Sequence, residues 1–218
     1  MDERLSTAAA ELPKPLALAA EHMAGYHGDW YICGGWAVDL LLGRQTRDHL
    51  DVDIAVFEDG QQALHTHLAG WHLLGHDDAV ADDCQDQWDG RWLNPPAHVH
   101  ANTPTMAGTE LDIQICPRAD DEWALVTGAS EPPMTMAMTE CRGDNHWNEL
   151  PVVSALVVLY FKALAPRWRM GSREVPRPKD EADLHALLPT LDATQRGWLH
   201  DAIATNEPDH RWLSKLRT

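Results

Sequence analysis

Asp51 and Asp53 are the residues of this 218-residue chain whose type and spacing point most directly to chemistry. Apolar residues alternate with them from Leu50 to Phe57, and the alternation predicts a strand that carries both carboxylates on one face. Two carboxylates this close repel each other unless a cation lies between them. Because Mg²⁺ is a hard cation that prefers oxygen ligands, the segment predicts a magnesium site.

A third acid that could complete this site lies in a second alternating segment, Glu110 to Ile115. Its apolar residues share one face of the predicted strand, and Asp112 lies on the other face. A single acid on a strand usually belongs to a solvated face, so Asp112 alone means little. We expect it to join Asp51 and Asp53 if the two strands are neighbours in one sheet.

The pair Gly34-Gly35 lies between a short apolar run, Trp30 to Cys33, and a predicted helix, Trp36 to Leu42. Glycines at such a turn let the backbone approach a ligand closely, and the N–H groups of a helix N-terminus favour phosphate. A Gly-Gly pair by itself is more often an ordinary turn. Followed by the acidic strand, it predicts a phosphate site beside a metal site.

The segment from Gly34 to Asp53 resembles the nucleotidyltransferase superfamily that includes DNA polymerase β. More narrowly, it is similar to the aminoglycoside 2″-adenylyltransferases and the lincosamide nucleotidyltransferases. The Glu110 to Ile115 segment matches less specifically, and Lys162 and residues 177–183 are weakly similar to the family's C-terminal helical region. The resemblance implies an α/β (α+β) fold with a mixed twisted sheet flanked by helices, followed by a C-terminal helical domain.

Roles for single residues follow from this resemblance. It implies that Gly34 and Gly35 contact a triphosphate, and that Asp51 and Asp53 hold Mg²⁺, expected as two ions. Asp112 would ligate metal or take a proton from the acceptor hydroxyl. ATP would be the co-substrate, attacked at its α-phosphorus, with pyrophosphate leaving.

Three cations are candidates for binding the nucleotide: Arg44, Arg47 and Lys162. The two arginines precede the acidic strand and could neutralise a phosphate, but either could instead pair with Asp39 or Asp48. Lys162 is the one charge in an apolar helix predicted from residue 151 to 165. It could reach the triphosphate, or it could be a lysine that extends its amine to solvent at a helix edge.

The charge balance limits the class of partner. The chain has 17 Lys and Arg against 34 Asp and Glu, a net charge of −17, which repels nucleic acid and anionic lipid and attracts cations. Aspartates are dense from residue 77 to 89. We expect Asp82, Asp83 and Asp86 to bind an amine-rich small-molecule acceptor, although such a stretch is more often a solvated loop.

Composition also predicts the domains and the compartment. Residues 1–150 have mixed α/β patterns and predict the catalytic domain, whereas residues 151–218 predict helices only. The four cysteines share no C-x-x-C spacing, and the pairs His65/His67 and His98/His100 lack further ligands at zinc spacing. No signal peptide or membrane span is apparent, so we expect a cytoplasmic protein.

Three functions fit these patterns. The first is transfer of a nucleoside monophosphate to a hydroxyl of a small cationic acceptor such as an aminoglycoside. The second keeps the chemistry but modifies a protein hydroxyl, as toxin–antitoxin nucleotidyltransferases do. The third is a catalytically silent nucleotide-binding module, which would have no need for three acids around one ion. Fold alone does not choose among acceptors.

Overall fold

A six-stranded mixed sheet forms the centre of the protein in the computed structural model, which describes residues 12–77, 86–106, 108–127, 133–147, 149–164 and 176–217. Its strands are β1 (Trp30–Ile32), β2 (Asp51–Phe57), β3 (His72–Asp77), β4 (Asp86–Gln87), β5 (Ala97–Asn102) and β6 (Glu110–Cys116). Their order is β1-β2-β6-β5-β3-β4. Only the β2/β6 pair of this sheet is parallel.

The remaining described elements are helices and a small second sheet. The helices are α1 (Lys14–Met23), α2 (Gly34–Leu42), α3 (Gln61–His67), α4 (Met138–Cys141), α5 (Ala155–Ala163), α6 (Pro178–Leu187), α7 (Ala193–Asn206) and α8 (Leu213–Leu216). The second sheet is antiparallel, with strands β7 (Arg118–Ala119), β8 (Glu122–Leu125) and β9 (Met134–Ala137). The predicted fold class, a mixed sheet flanked by helices, is confirmed.

Strand β2 follows the two-residue pattern read from the sequence. Val52, Ile54 and Val56 are fully buried, and the alternate positions Asp51 and Asp53 lie on the opposite face. The strand begins at Asp51 rather than at the preceding Leu50, which is 91% exposed. The buried valines and isoleucine anchor β2 in the core, so Asp51 and Asp53 lie on the face opposite to them.

Two other predicted elements differ in the structure. By its sequence, the run from Arg91 to Leu93 could be a short strand before Pro95-Pro96, but in the structure these residues lie outside the strands. The helix predicted from residue 151 begins only at Ala155, because Val152 and Val153 are extended and bridge to Ile32 and Arg142. In the sequence, Asp192 and Gln195 have the spacing of a helix N-cap and its third residue, which predicts a cap. The structure confirms it, since the Asp192 side chain accepts a hydrogen bond from the backbone N–H of Gln195.

Helix α5 connects the C-terminal helices to the core of the central sheet. It packs against α2, α6 and α7, and its residues join the same core cluster as β2 and β6. The domain boundary expected near residue 150 stays a prediction. Within the described ranges, no helix has the length and apolar character needed to cross a membrane.

Candidate active site

The three acids that the sequence singled out line one cavity of about 560 Å³. Asp53 and Asp112 are direct partners across the parallel β2/β6 pair, where neighbouring strands lie about 4.8 Å apart. Asp51 lies two residues before Asp53, on the same face. The predicted neighbourhood of two acidic strands is thus present, and the three acids line one cavity.

The N-terminus of α2 opens into the same cavity, and local crowding explains its two glycines. Gly34 has a φ of +62°, and a Cβ there would overlap the Asp53 carboxylate. A Cβ on Gly35 would overlap the side chains of His49 and Arg47. The positive φ of Gly34 favours glycine, and a larger residue at Gly35 would have to displace these side chains. The helix start thus lies close to the acids, where its N–H groups suit a phosphate.

Asp39 holds the loop that leads from α2 into β2. This carboxylate is fully buried, and its Oδ2 lies 2.6 Å from Nε2 of His49. Its Oδ1 accepts a hydrogen bond of 2.9 Å from the backbone N–H of Thr46. The His49 ring also packs on Trp36, with 4.4 Å between ring centroids. Asp39 therefore fixes the approach to the acidic strand through Thr46 and His49.

Cations also line this cavity. The buried amine of Lys162 lies 2.6 Å from Oδ2 of Asp183 and 3.5 Å from Oδ1 of Asp180, both on α6. Nη2 of Arg47 lies 3.4 Å from the same Oδ2 of Asp183. Asp183 thus joins a cation from the loop before β2 to a cation from α5, and both cations line the cavity.

Arg177 adds a further cation at the start of α6. Its Nε and Nη2 donate to the two carboxylate oxygens of Asp180, over 2.8 and 3.0 Å. This hydrogen bonding raises the pKa of Arg177. Burial raises the pKa of Asp180, but the hydrogen bonds from Arg177 and the charge of Lys162 outweigh burial and hold that pKa below its ordinary value.

Lys179 lines the cavity, although from the sequence it was interpreted as an ordinary surface lysine. It is exposed and lines the cavity beside Arg177. Burial lowers its pKa, and the neighbouring charges of Arg177, Arg47 and Lys162 lower it further. The run from Arg177 to Asp180 at a helix start was the available signal, because the backbone N–H groups of a helix N-terminus favour an anion and cations nearby can bind it as well.

An apolar surface completes the cavity. Its members come from the segment before α5, from α5 itself and from β8: Val153, Val157, Val158, Phe161 and Trp123. The rings of Trp123 and Phe161 pack with centroids 6.1 Å apart. Ligand sites generally combine such a surface with a few polar groups that fix orientation. The cavity can therefore hold an anionic group and a flat or apolar one together.

The donor set fits a hard divalent cation. Asp51, Asp53 and Asp112 offer carboxylate oxygens from two adjacent strands, which is the ligand type that Mg²⁺ prefers. In the parts of the chain that the structure describes, no group of three His, Cys, Asp or Glu side chains is already arranged as a metal site. By their ligand type and position, Asp51, Asp53 and Asp112 are the residues that would hold Mg²⁺.

The other predicted ligand residues lie elsewhere. Arg44 is exposed and is outside the set of residues that line the cavity. Asp86 is exposed on β4, separated from β6 by two strands. Asp82 and Asp83 lie outside the described residues. The roles predicted for these side chains in nucleotide or acceptor binding stay predictions.

A family model described as aminoglycoside-2″-adenylyltransferase matches residues 16–74, just over a quarter of the chain. The match runs from α1 into β3 and includes Gly34, Gly35, Asp51 and Asp53. Asp112 and the cations of α5 and α6 lie beyond it. Comparison with curated protein sequences gave no match. The match to the family model supports the resemblance of this sequence to the aminoglycoside 2″-adenylyltransferases.

Solved structures share the fold. The lincomycin-bound lincosamide antibiotic adenylyltransferase LnuA matches with a TM-score of 0.53 and 17% identity, over 83% of this chain and 98% of that one. ANT(2″)-Ia in complex with adenylyl-2″-tobramycin matches with a TM-score of 0.53 and 18% identity, over 88% and 94%. The protein thus has the nucleotidyltransferase fold, and the comparisons support an enzyme of adenylyltransferase type.

Proposed function

We propose that this protein transfers a nucleoside monophosphate, AMP from ATP, to a hydroxyl of a small cationic molecule of the antibiotic type. The observation that carries the proposal is one cavity with two chemically different walls. The acids Asp51, Asp53 and Asp112 (the carboxylate wall) and the cations Arg47, Lys162, Arg177 and Lys179 (the cation wall) line it together. A metal–triphosphate needs both, because its metal prefers oxygen ligands and its phosphates prefer cations and helix N-termini.

The carboxylate wall would act at the reacting phosphorus. Asp51 and Asp53, with Asp112, would hold Mg²⁺, which when bound neutralises charge on the phosphate oxygens. The acceptor oxygen forms a bond to the α-phosphorus, and the bond from that phosphorus to pyrophosphate breaks. The acceptor proton needs a base within hydrogen-bond reach. Asp112 is the candidate base, or else a further metal ligand.

The cation wall would bind the part of the nucleotide that leaves. Lys162, Arg47 and Lys179 line the cavity with the glycine start of α2, and their positive charge suits the β- and γ-phosphates. Asp180 and Asp183 keep the buried cations in place before a nucleotide arrives. Catalysis by positioning and charge stabilisation is the usual pattern for phosphoryl and nucleotidyl transfer.

The proposed class of acceptor rests on the net charge of the protein and on its similarity to antibiotic-modifying enzymes. The net charge of −17 attracts polyamines. The family model that matches is that of an aminoglycoside-modifying enzyme, and the structural neighbours were solved with lincomycin and with adenylylated tobramycin. We therefore favour a cationic antibiotic-like acceptor over a protein hydroxyl.

The test is pyrophosphate release from ATP and Mg²⁺ with a panel of aminoglycosides, lincosamides and neutral sugars. We expect release with at least one cationic acceptor, loss of release in EDTA, and a product heavier than the acceptor by one adenylyl group in mass spectrometry. Labelling only of a co-expressed protein would support the protein-modifying alternative. ATP binding without turnover on any acceptor would contradict the proposal and favour the silent module.

A further inference from the structure

A buried histidine contacts the third carboxylate from the side away from β2. His98 lies on β5, is 2% exposed, and has Gln114 as its direct partner on β6. Its ring reaches diagonally across the pair, so that Nδ1 lies 3.0 Å from Oδ1 of Asp112. Because an ionised carboxylate only accepts hydrogen bonds, Nδ1 carries the proton and donates.

Packing leaves the His98 ring little freedom. On the next strand, the His76 ring stacks against it with 5.6 Å between centroids and 23° between planes. Their residues are direct partners across the β3/β5 pair. The row Asp53, Asp112, His98 and His76 therefore crosses four adjacent strands on one face of the sheet. A donor held this firmly can impose its geometry on its acceptor.

We propose that His98 is a positioning residue that sets the orientation of the Asp112 carboxylate, an inference that rests on the proposed function of the cavity. A hydrogen bond to one carboxylate oxygen fixes the rotation of the group about its Cβ–Cγ bond. The direction of the other oxygen is then fixed as well. A group that handles a proton or a metal must be held in its productive geometry, and hydrogen-bonding neighbours provide this hold.

The same strand supplies an internal control. His100 lies two residues from His98, and its Nδ1 lies 2.8 Å from Oε1 of Glu110. The pair has the same chemistry and the same diagonal placement between β5 and β6, but Glu110 is not among the residues that line the cavity. A general effect of losing a strand histidine would appear at both positions, whereas a positioning effect would appear at His98 alone.

The first arm of the test is crystallographic and needs no activity. We expect the Asp112 carboxylate to rotate, or to adopt several orientations, in His98→Leu. It should keep its orientation in His98→Asn, whose amide nitrogen can replace Nδ1. If His98→Leu does not fold, His98→Met serves instead, because its side chain also has no N–H donor. An unchanged Asp112 in a variant that lacks the donor would overturn the proposal.

The second arm is kinetic. Loss of such a supporting hydrogen bond typically costs about 10- to 100-fold, so we expect kcat to fall by this factor in His98→Leu with the KM for nucleotide nearly unchanged. His98→Asn should recover most of the loss, and His100→Leu should match the wild type. Wild-type kcat in His98→Leu would overturn the proposal. If the wild type turns over no acceptor, the proposed function fails, and the crystallographic arm still decides the positioning.

Discussion

The two walls of the cavity are built differently. The carboxylate wall comes from two adjacent strands, and its acids project from a sheet whose other face is fully buried. The cation wall comes from a loop, α5 and the start of α6, and its charges are already paired with the buried acids Asp180 and Asp183. The first wall should therefore matter mainly for chemistry, and the second for chemistry and stability together.

The largest expected effect is on the carboxylate wall. Asp53→Asn should lower turnover by about 1,000-fold, because a lost metal ligand removes several kcal/mol of stabilisation from the transition state. Its thermal midpoint should change little, since the side chain is only partly buried and lies at the cavity. Steady-state kinetics and calorimetry check both claims. The exposed surface variant Asp209→Asn is the control, and activity retained in Asp53→Asn would remove the metal assignment.

The cation wall should respond in the opposite way. Asp183→Asn leaves Lys162 and Arg47 without their shared counter-charge, and breaking a buried ion pair costs about 3–5 kcal/mol of unfolding free energy. Urea denaturation measures this cost. Glu181→Gln on the same helix is the matched control, since Glu181 pairs with the partly exposed Lys215 and Arg211, and such pairs contribute less than about 1 kcal/mol. The amide oxygen of Gln can still accept the hydrogen bond from the Trp212 indole. Equal losses of unfolding free energy in Asp183→Asn and Glu181→Gln would contradict the stabilising role of the cation wall.

These walls also differ in how far the sequence predicted them. Asp51, Asp53 and Asp112 were found because alternation in a strand is a local signal, and the parallel pairing of β2 with β6 then joins them. The pairing of Lys162 with Asp183 was not found, because it joins α5 to α6, and a periodic pattern says nothing about which helices touch. The strand start at Asp51 was also missed by one residue, since Leu50 has an apolar side chain but lies in solvent.

Acid sensitivity gives a smaller and sharper test of the cation wall. The pKa of Asp180 is lowered in the folded protein, so its ionised form stabilises the fold above the ordinary aspartate value of 3.8. This contribution is lost as the pH falls through the lowered pKa. The difference in unfolding free energy between wild type and Asp180→Asn should thus be full at neutral pH and shrink below 3.8. A difference independent of pH would contradict the ion-pair account.

The smallest expected effect concerns Lys179. Burial and nearby cations lower its pKa below the ordinary 10.5, so it loses its proton earlier than a free lysine as the pH rises. Nucleotide affinity should fall by about 3- to 5-fold over that alkaline range, the scale of one charge-assisted contact. Lys179→Arg stays charged and should flatten the profile. Isothermal titration of ATP against pH measures this, and an identical decline in both proteins would exclude Lys179 as its source.

One crystal structure would test the central claim most directly, namely that both walls bind one metal–triphosphate. The complex would contain Mn²⁺ in place of Mg²⁺ and a non-hydrolysable ATP analogue. We expect an anomalous peak between Asp51, Asp53 and Asp112, with the phosphates against the Gly34-Gly35 start of α2 and beside Lys162. A nucleotide bound outside this cavity, or bound in it with no manganese at the three acids, would contradict the account.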